Sequence, residues 1–213
     1  MTPQQFKEAL RLHAIWINNP IENKRAYLYK ANLFYADLRN VDLHNADMRS
    51  SFLNNANMQG SNLSGANLSD SDMREIYLRS ANLQDINLSR VRSYKADLSG
   101  ANLSNARISK AYMVECNLQK ANLRGANMIE ANLYRADLSG ADLSGADLDG
   151  ANLNQANLSG AILSGVNLGR AYIIAAKFTV ELNDVINLHH AHYEASQFQF
   201  LALNRSFLEC AYN

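Results

Sequence analysis

Hydrophobic residues recur at every fifth position through most of this 213-residue chain. From Ala26 to Val180 the sequence divides into 31 consecutive five-residue blocks with no change of phase. The third position of the block is Leu in 22 cases, Met in five, Ile in two, Phe in one and Ser in one. The first position is Ala in 22 blocks, and the second is Asn or Asp in 22. Each block therefore places a polar residue between a small and a large apolar one.

A period of five matches neither the 3.6 residues of an α-helix nor the two residues of a continuous strand. The first three positions still alternate inward, outward and inward, which predicts a short extended piece. The fourth and fifth positions must then turn the chain. Gly fills the fifth position nine times and Asn or Asp six times, and these residues tolerate the positive φ of a type II turn.

Each block is thus predicted to form one short side and one corner. If each corner is close to a right angle, four blocks close a coil of 20 residues, and the next coil stacks on it about 4.8 Å away. The sequence predicts an all-β solenoid, a quadrilateral parallel β-helix over residues 26–180. The 29 Leu and 29 Ala are expected inside, while the Asn and Asp of the second position are expected in water.

The blocks resemble the A-(D/N)-L-x-x motif of the pentapeptide-repeat family, as in Ala-Asp-Leu-Ser-Gly at 136–140 and again at 141–145. This resemblance covers all 31 blocks and implies that the β-helix is right-handed. It does not imply one function, since the family includes gyrase-protecting DNA mimics, proteins of cyanobacterial differentiation and members with no known role. The Leu and Ala of this chain are closer to the cyanobacterial members, because the gyrase-protecting ones favour Phe centres with Cys in the small position.

Residues 1–25 are predicted to form a helical cap on the first coil. Thr2, Pro3 and Gln5 fit the N-cap, N1 and N3 positions of a helix start, and Asn18-Asn19-Pro20 ends the helix, so we expect it from Pro3 to Ile17. Its apolar face comprises Phe6, Ala9, Leu10, His13, Trp16 and Ile17. The alternative is a helix that targets a membrane or a partner. Its polar face carries only Lys7 and Arg11 against Glu8, which is little charge for attraction to a membrane.

Residues 181–213 are predicted to form irregular last coils and a C-terminal cap. Glu181 and Asn183 fall on inward positions, so we expect the 179–185 stretch to bulge or form a loop. The five-residue phase then returns with Ile186 and Leu188 as inward residues, and Tyr193 and Phe198 are large enough to seal the last coil. No helix is predicted to cover this end. It can therefore pair two copies end to end, or the tail can fold over itself.

One position inside the repeat breaks the apolar pattern. Ser93 is the polar third-position residue, and an unpaired buried hydroxyl costs about 1–3 kcal/mol. Ile76 and Ile86, large for the first position, lie on nearby blocks. These residues predict a kink or a widened coil over residues 76–95.

No catalytic, metal or cofactor site is predicted. His189, His190 and His192 are the only histidine cluster, but alternation places neighbouring residues on different sides, and no carboxylate or thiol completes a ligand set. Cys116 replaces a small inward residue and is expected to be buried and inert, whereas Cys210 lies near the terminus and can be exposed. The two are too far apart along the solenoid to bond to each other. A filled prism with flat sides lacks the cleft of an enzyme, so we expect a non-enzymatic protein without cofactors.

Outward-pointing aromatic residues concentrate on one of the four sides. We call the side formed by the blocks that begin at 31, 51, 71, 91, 111, 131, 151 and 171 the aromatic side. It carries seven of the ten outward aromatic residues of the repeat, and three arginines. Aromatic and Arg side chains in water are the types that anchor interfaces. The predicted partner-binding residues are Phe34, Tyr35, Phe52, Arg74, Arg92, Tyr94, Tyr112, Tyr134, Arg135 and Tyr172. The alternative is a stabilising ladder of stacked rings.

Charge separates two functional classes. The first is a scaffold that binds an unidentified protein partner through the aromatic side. The second, implied by the resemblance, is a DNA mimic that binds DNA gyrase and gives quinolone tolerance, which requires a continuous acidic field. The chain carries 20 Lys and Arg against 20 Asp and Glu, and no side of the repeat is strongly acidic. The first class is therefore favoured, with no nucleic acid among the partners.

No run of 18 apolar residues is present, and the first eleven residues are polar and charged. The sequence therefore predicts no membrane partner and a cytoplasmic location.

Overall fold

The computed structural model describes residues 3–19, 25–179 and 184–193. It begins with α-helix α1, Pro3–Asn18. Two short strands, β1 at Asn157–Leu158 and β2 at Lys177–Phe178, pair in parallel. A 3₁₀-helix follows at Leu188–His190. Across the rest of the repeat each block contributes an isolated bridge residue rather than a longer strand.

Parallel bridges join the second position of each block to the residue 20 positions later. The first four are Tyr27 with Asp47, Asn32 with Phe52, Asp37 with Asn57 and Asp42 with Asn62. The same spacing continues to the pairing of Asn157 with Lys177 and holds for Tyr172 with His192, whereas Asn167 pairs with Ile186 only 19 residues later. The chain therefore coils with the predicted period, with four bridging positions in each 20 residues.

Backbone hydrogen bonds explain why the period is strict. On one side, Asp47 N donates to Ala26 O at 2.9 Å, Leu28 N to Asp47 O at 2.6 Å and Lys30 N to Arg49 O at 3.0 Å. These bonds use the N–H groups of the second, third and fifth positions. The N–H of the first position closes the corner, as when Ala31 N donates to Leu28 O at 3.0 Å.

Every fifth position from Lys30 to Ala175 has positive φ, from 52° at Arg170 to 69° at Gly160. The sequence predicted this geometry from Gly, Asn and Asp alone, yet Lys, Arg, Glu, Ser and Gln adopt it as well. A residue with a Cβ costs roughly 1–2 kcal/mol in this region. The ladder and turn hydrogen bonds on both sides of each corner hold these residues there.

The core is a column of third-position residues surrounded by first-position ones. Leu78, Leu103 and Leu133 have no exposed surface, and Ala101 and Ala131 are equally enclosed. Burial of each Leu contributes about 1.5–3 kcal/mol. This repeated burial is the main favourable term against the entropy of ordering the chain.

The second-position Asn and Asp side chains are not simply solvated, as had been expected from the sequence. In all 22 blocks that carry them, Oδ1 accepts the backbone N–H of the fourth position at 3.0–3.5 Å. The ladder and corner bonds leave that N–H without a backbone acceptor. Because buried N–H groups need a partner, this bond explains why the position favours Asn and Asp.

Helix α1 ends at Asn18, one residue beyond the predicted end. Phe6, Ala9 and Leu10 pack against the core, and His13 is fully buried. The predicted N-cap Thr2 and Pro20 lie outside the described residues. In the described part of the chain, none of the helices combines the length and apolarity of a membrane span.

The prediction that Ile186 points inward is wrong. Val185 is buried and Ile186 is half exposed, and Ile186 pairs with Asn167 one residue earlier than the 20-residue spacing requires. The 3₁₀-helix absorbs this shift, and the regular spacing returns at His192. Residues 180–183 and 194–213 lie outside the described residues. What the sequence predicts for Glu181, Asn183, Phe198, Cys210 and the end-to-end dimer therefore stays a prediction.

The ladder keeps its regular register at Ser93, although a kink or a widened coil was predicted over residues 76–95. Bridges join Arg92 to both Asp72 and Tyr112 at the regular spacing, and Ser93 N donates to Tyr112 O at 2.8 Å. Ser93 is buried, and its hydroxyl also donates to Tyr112 O at 3.3 Å. The third-position residues of the adjoining coils are Met73 and Met113, whose flexible side chains adapt to a small neighbour.

Candidate functional site

The ladder of the aromatic side runs through four of the ten predicted partner-binding residues, Phe52, Arg92, Tyr112 and Tyr172, and the other six occupy the fourth and fifth positions of blocks on the same side. Second-position bridges run without interruption from Asn32 through Phe52, Arg92 and Tyr112 to Tyr172. Seven coil spacings of about 4.8 Å separate the ends of this row, or roughly 34 Å. The aromatic side is therefore a long, narrow surface on a rigid backbone.

The first two coils carry three exposed rings of the aromatic side. Phe34 and Tyr35 are 46% and 72% exposed, and their centroids lie 5.1 Å apart. Phe52, 49% exposed, projects from the next coil beside Asn32. These three exposed rings lie on adjacent coils at the N-terminal end of the aromatic side.

Arg92 lies in the middle of the aromatic side, between Asp72 and Tyr112 on the ladder. Asp72 is already satisfied, because Arg74 binds it at 2.7 and 2.8 Å and Asn54 Nδ2 donates to it at 2.7 Å. Burial opposes ionisation of Asp72, but these bonds outweigh it and lower the pKa of its carboxyl. Among the described residues, no carboxylate pairs with Arg92. Its guanidinium can therefore bind an acceptor on a partner.

Two tyrosines of the aromatic side are held in place by cations. Lys95 Nζ lies 5.2 Å from the Tyr94 ring centroid, and the Arg135 guanidinium lies 5.0 Å from that of Tyr134. Tyr94 also donates from its hydroxyl to Glu115 at 3.3 Å. Both rings are half buried, so they are already ordered before any partner binds.

A continuous ladder of stacked rings does not form on this side. Asp72 and Arg92 separate Phe52 from Tyr112, and Asn132 and Asn152 separate Tyr112 from Tyr172. Within the described residues, the inter-coil ring stack on this side joins Tyr172 to His192, with centroids 4.4 Å apart. Ring stacking between coils therefore does not account for most of the aromatic residues here.

Several acidic side chains on the surface are neutralised by a nearby arginine. Asp37 pairs with Arg39 at 2.6 Å and Asp47 with Arg49 at 2.7 Å, each within one block. Between coils, Asp70 pairs with Arg90 and Asp149 with Arg170. Over residues 26–180, acidic residues exceed basic ones only on the side that begins at Val41, by three to one. No side presents a continuous acidic field.

The histidines at 189, 190 and 192 do not form one cluster. His189 and His190 contact each other, while His192 stacks on Tyr172. Cys116 is buried, and burial raises the pKa of its thiol to about 12. The thiol donates to the backbone oxygen of Ser93. The Cys116 thiol is therefore not a reactive group on the described surface.

The structure brings together a different set of titratable residues where α1 meets the first coil. Potential ligand atoms of His13, Asp42 and His44 lie within 4.8 Å of one another. Ala26 N donates to His13 Nδ1 at 2.9 Å, so the proton of the neutral ring is on Nε2. A metal needs a free lone pair on a ring nitrogen, and His13 offers none in this state. Sequence reasoning missed this cluster, whose signal was a histidine on the apolar face of the helix.

Family and structural comparisons agree with the repeat. The family model "Pentapeptide repeats (8 copies)" matches residues 26–65, 56–92, 81–119, 96–133, 116–155 and 151–179. Among curated proteins the chain has no match.

Three solved structures illustrate the likeness. A trypsin-treated variant of QnrB1, a plasmid-mediated fluoroquinolone resistance protein, is 18% identical with a TM-score of 0.63 over 80% of this chain and 88% of its own. HetL, a pentapeptide repeat protein involved in heterocyst differentiation regulation from the cyanobacterium Nostoc sp. strain PCC 7120, is 31% identical over 76% of this chain and 81% of its own, with a TM-score of 0.36. Rfr23 from the cyanobacterium Cyanothece 51142 is 32% identical over 53% and 64%, with a TM-score of 0.28.

Proposed function

The chain belongs to the pentapeptide-repeat family, and we propose that it is a non-enzymatic scaffold whose aromatic side binds a protein partner. The proposal includes the right-handed, four-sided coil that the family resemblance implies. On such a coil the outward residues of the aromatic side form one surface, and the bound partner lies along the solenoid axis.

The observation that carries this proposal is the row of exposed rings and the uncommitted Arg92. Phe34, Tyr35, Phe52 and Tyr112 are each 46% exposed or more, and exposed apolar side chains that concentrate on one surface mark an interaction site. Aromatic and Arg residues supply most interface hot spots. The rigid backbone beneath them also lowers the entropy lost when a partner binds.

The chemistry of the surface indicates what kind of partner fits. The rings require apolar or aromatic side chains opposite them, and Arg92 favours a carboxylate or a carbonyl oxygen between them. Arg74, by contrast, is already bound to Asp72. We therefore propose an elongated protein surface, apolar with an acidic group near its centre.

A DNA mimic that binds gyrase is the second candidate function. The likeness to QnrB1 at 18% identity bears on the fold alone. The local pairing of Asp37, Asp47 and Asp149 with arginines opposes mimicry, because a mimic must present unneutralised carboxylates in place of phosphates. A gyrase supercoiling assay with and without a quinolone tests this candidate. We expect no protection of gyrase, and protection at stoichiometric amounts of the protein would establish the mimic instead.

Footprinting tests the scaffold directly. The full chain is labelled by hydroxyl radicals, alone and after capture of its partners from cell extract, and modified residues are identified by mass spectrometry. We expect protection of Tyr35, Phe52 and Tyr112 and unchanged labelling of Tyr27 and Tyr77, which are exposed on other sides. Protection confined to Tyr27 or Tyr77 would contradict the proposal.

A further inference from the structure

His13 joins helix α1 to the first coil. Its ring is 1% exposed, and its Nδ1 accepts the backbone N–H of Ala26, the first residue of the repeat, at 2.9 Å. The other ring nitrogen, Nε2, is buried without a hydrogen-bond partner. Trp16, on the next turn of the helix, stacks on the imidazole with ring centroids 5.3 Å apart.

This contact works in only one protonation state. A neutral imidazole with its proton on Nε2 has a lone pair on Nδ1 that accepts the Ala26 N–H. An imidazolium carries protons on both nitrogens, so Nδ1–H would face Ala26 N–H, donor against donor. The protonated ring would also be a charge in a buried position, which is costly without a partner.

We propose that neutral His13 is a pH-sensitive latch that holds α1 on the first coil, and that protonation of His13 releases the helix while the repeat stays folded. Apart from the bond between His13 and Ala26, the helix meets the core through the apolar side chains of Phe6, Ala9 and Leu10. The repeat itself is held by ladder hydrogen bonds and by Leu burial, neither of which involves His13.

The groups that face His13 come from the coil and from the helix. On the coil, His44 lies with its ring centroid 5.7 Å away, and its Nδ1 is 2.8 Å from Asp42 Oδ1. On the helix, Trp16 is uncharged and also contacts the His44 ring at 5.3 Å. Asp42 favours a positive charge on His13, whereas His44 opposes it when charged.

Burial and His44 together lower the pKa of His13 from its ordinary 6.5, while Asp42 partly opposes this. The undocked helix exposes His13 to water, where it regains the ordinary value. Undocking therefore takes up a proton at any pH between the two values. Docking is strongest above pH 6.5 and weakens as the pH falls below it, by about tenfold for each pH unit until the docked ring itself becomes protonated.

Asp42 does not titrate in this range. Burial raises its pKa, but hydrogen bonds from the His44 backbone, the His44 ring and Asn62 outweigh burial and place the pKa of Asp42 below the usual 3.8. The carboxylate thus stays charged while His13 gains its proton. His44 is the remaining titratable neighbour, so the experiment must separate it from His13.

Release of the helix would uncover the N-terminal end of the core. Phe6, Ala9 and Leu10 of the helix pack against this core. Ala26 and Leu28, in the first block of the repeat, are buried. An apolar solenoid end is a surface on which another chain can stack. The latch thus controls whether that end is covered.

Hydrogen exchange of the full chain at pH 7.5 to 4.5 tests the latch. Protection factors of α1 amides, corrected for the intrinsic pH dependence of exchange, are compared with those of residues 96–150. In the wild type we expect α1 protection to fall about tenfold per pH unit below 6.5, with no change in 96–150. The matched variant is His13→Asn, whose Oδ1 can accept the Ala26 N–H but does not titrate. Its α1 protection is expected to be independent of pH.

Two further measurements keep the result decisive. The pH midpoint of the NMR titration of the wild-type His13 ring is expected to equal the pH midpoint of α1 undocking. This comparison uses the wild type alone, so it remains valid even if α1 of His13→Asn docks weakly at every pH. His44→Asn is expected to retain the pH dependence. A wild-type α1 whose protection does not change with pH would overturn the latch, as would loss of the pH dependence in His44→Asn with retention in His13→Asn. Stabilisation of α1 by Zn²⁺ at pH 7.5 would also overturn it, since it requires a free lone pair on His13 Nε2.

Discussion

Asn122 Nδ2 donates to Asn102 Oδ1 at 3.1 Å, which links the second positions of two successive coils. The same oxygen accepts the backbone N–H of Ser104 at 3.2 Å, within its own block. One side chain thus closes a corner and binds the next coil. Asn82 and Asn62 continue the row towards Asp42, whose carboxylate can only accept.

Removal of the Asn102 side chain is predicted to destabilise the solenoid. Asn102→Ala leaves Ser104 N–H and Asn122 Nδ2 without an acceptor, so we expect the free energy of unfolding to fall by about 1–3 kcal/mol. Asn102→Asp keeps both accepted bonds and loses only the donation to Asn82, so its loss should be smaller. Guanidinium denaturation of the two variants provides the comparison. An equal loss of unfolding free energy in the two variants would mean that the hydrogen bonds accepted by Asn102 do not stabilise the solenoid.

Truncation of one core side chain is predicted to lower the free energy of unfolding more than removal of a surface side chain from the same block. Leu123 is fully buried, and Leu123→Ala is expected to lower the free energy of unfolding by about 2–5 kcal/mol. The control is Arg124→Ala, which removes an exposed ion pair with Asp142 and should cost less than about 1 kcal/mol. Urea denaturation measures both. Similar midpoints for the two variants would contradict the column of buried centres.

The exposed carboxylates are predicted to resist protonation. The Arg39 side chain, helped by the Arg39 backbone N–H, lowers the pKa of Asp37 to about 2. Because the folded value lies below the ordinary 3.8, this pair stabilises the fold above pH 3.8, and the contribution is lost as the pH falls towards 2. NMR titration of Asp37 in the wild type and in Arg39→Gln checks this. The variant should titrate nearer 3.8, and an unchanged midpoint would remove the role given to Arg39.

The Cys116 thiol is predicted to be inert in the folded protein. Burial holds its pKa near 12, so almost no thiolate is present at pH 8. A Cys210→Ser variant isolates this thiol for reaction with a chromogenic disulfide. We expect reaction only after the denaturant transition. Rapid labelling of the native protein would show that the coil around Cys116 opens readily.

Sequence predicted the coil because one rule repeats 31 times. Leu and Ala at fixed positions require burial, and Gly, Asn and Asp at the corners require positive φ, so the 20-residue spacing followed from local chemistry. The same reasoning placed Ile186 inward, which is wrong. The coil that contains these residues is one residue short before Ile186, so Val185 points inward and Ile186 points outward. The 3₁₀-helix Leu188–His190 then restores the 20-residue spacing.

Contacts between distant residues were beyond sequence reasoning. The acceptor for the Ser93 hydroxyl is a carbonyl on the next coil, and the neighbours Met73 and Met113 adapt to a small residue. His13 meets His44 only because α1 folds back over the first coil. The local sequence signal for these contacts was limited to a histidine on the apolar face of α1. The ten predicted partner-binding residues, by contrast, could be assigned to one side from the sequence because the coil repeats every 20 residues.

The most direct test of the account is quantitative capture of partners by three forms of the full chain. One is the wild type, and one carries Phe52→Asn, Tyr112→Asn and Tyr134→Asn on the aromatic side. The third carries Tyr27→Asn and Tyr77→Asn, which remove rings that are 61% and 44% exposed on other sides. We expect the aromatic-side variant to recover at least tenfold less of any protein that binds the wild type specifically. The control variant is expected to recover the same amount as the wild type. Equal recovery by all three, or loss in the control alone, would contradict binding through the aromatic side.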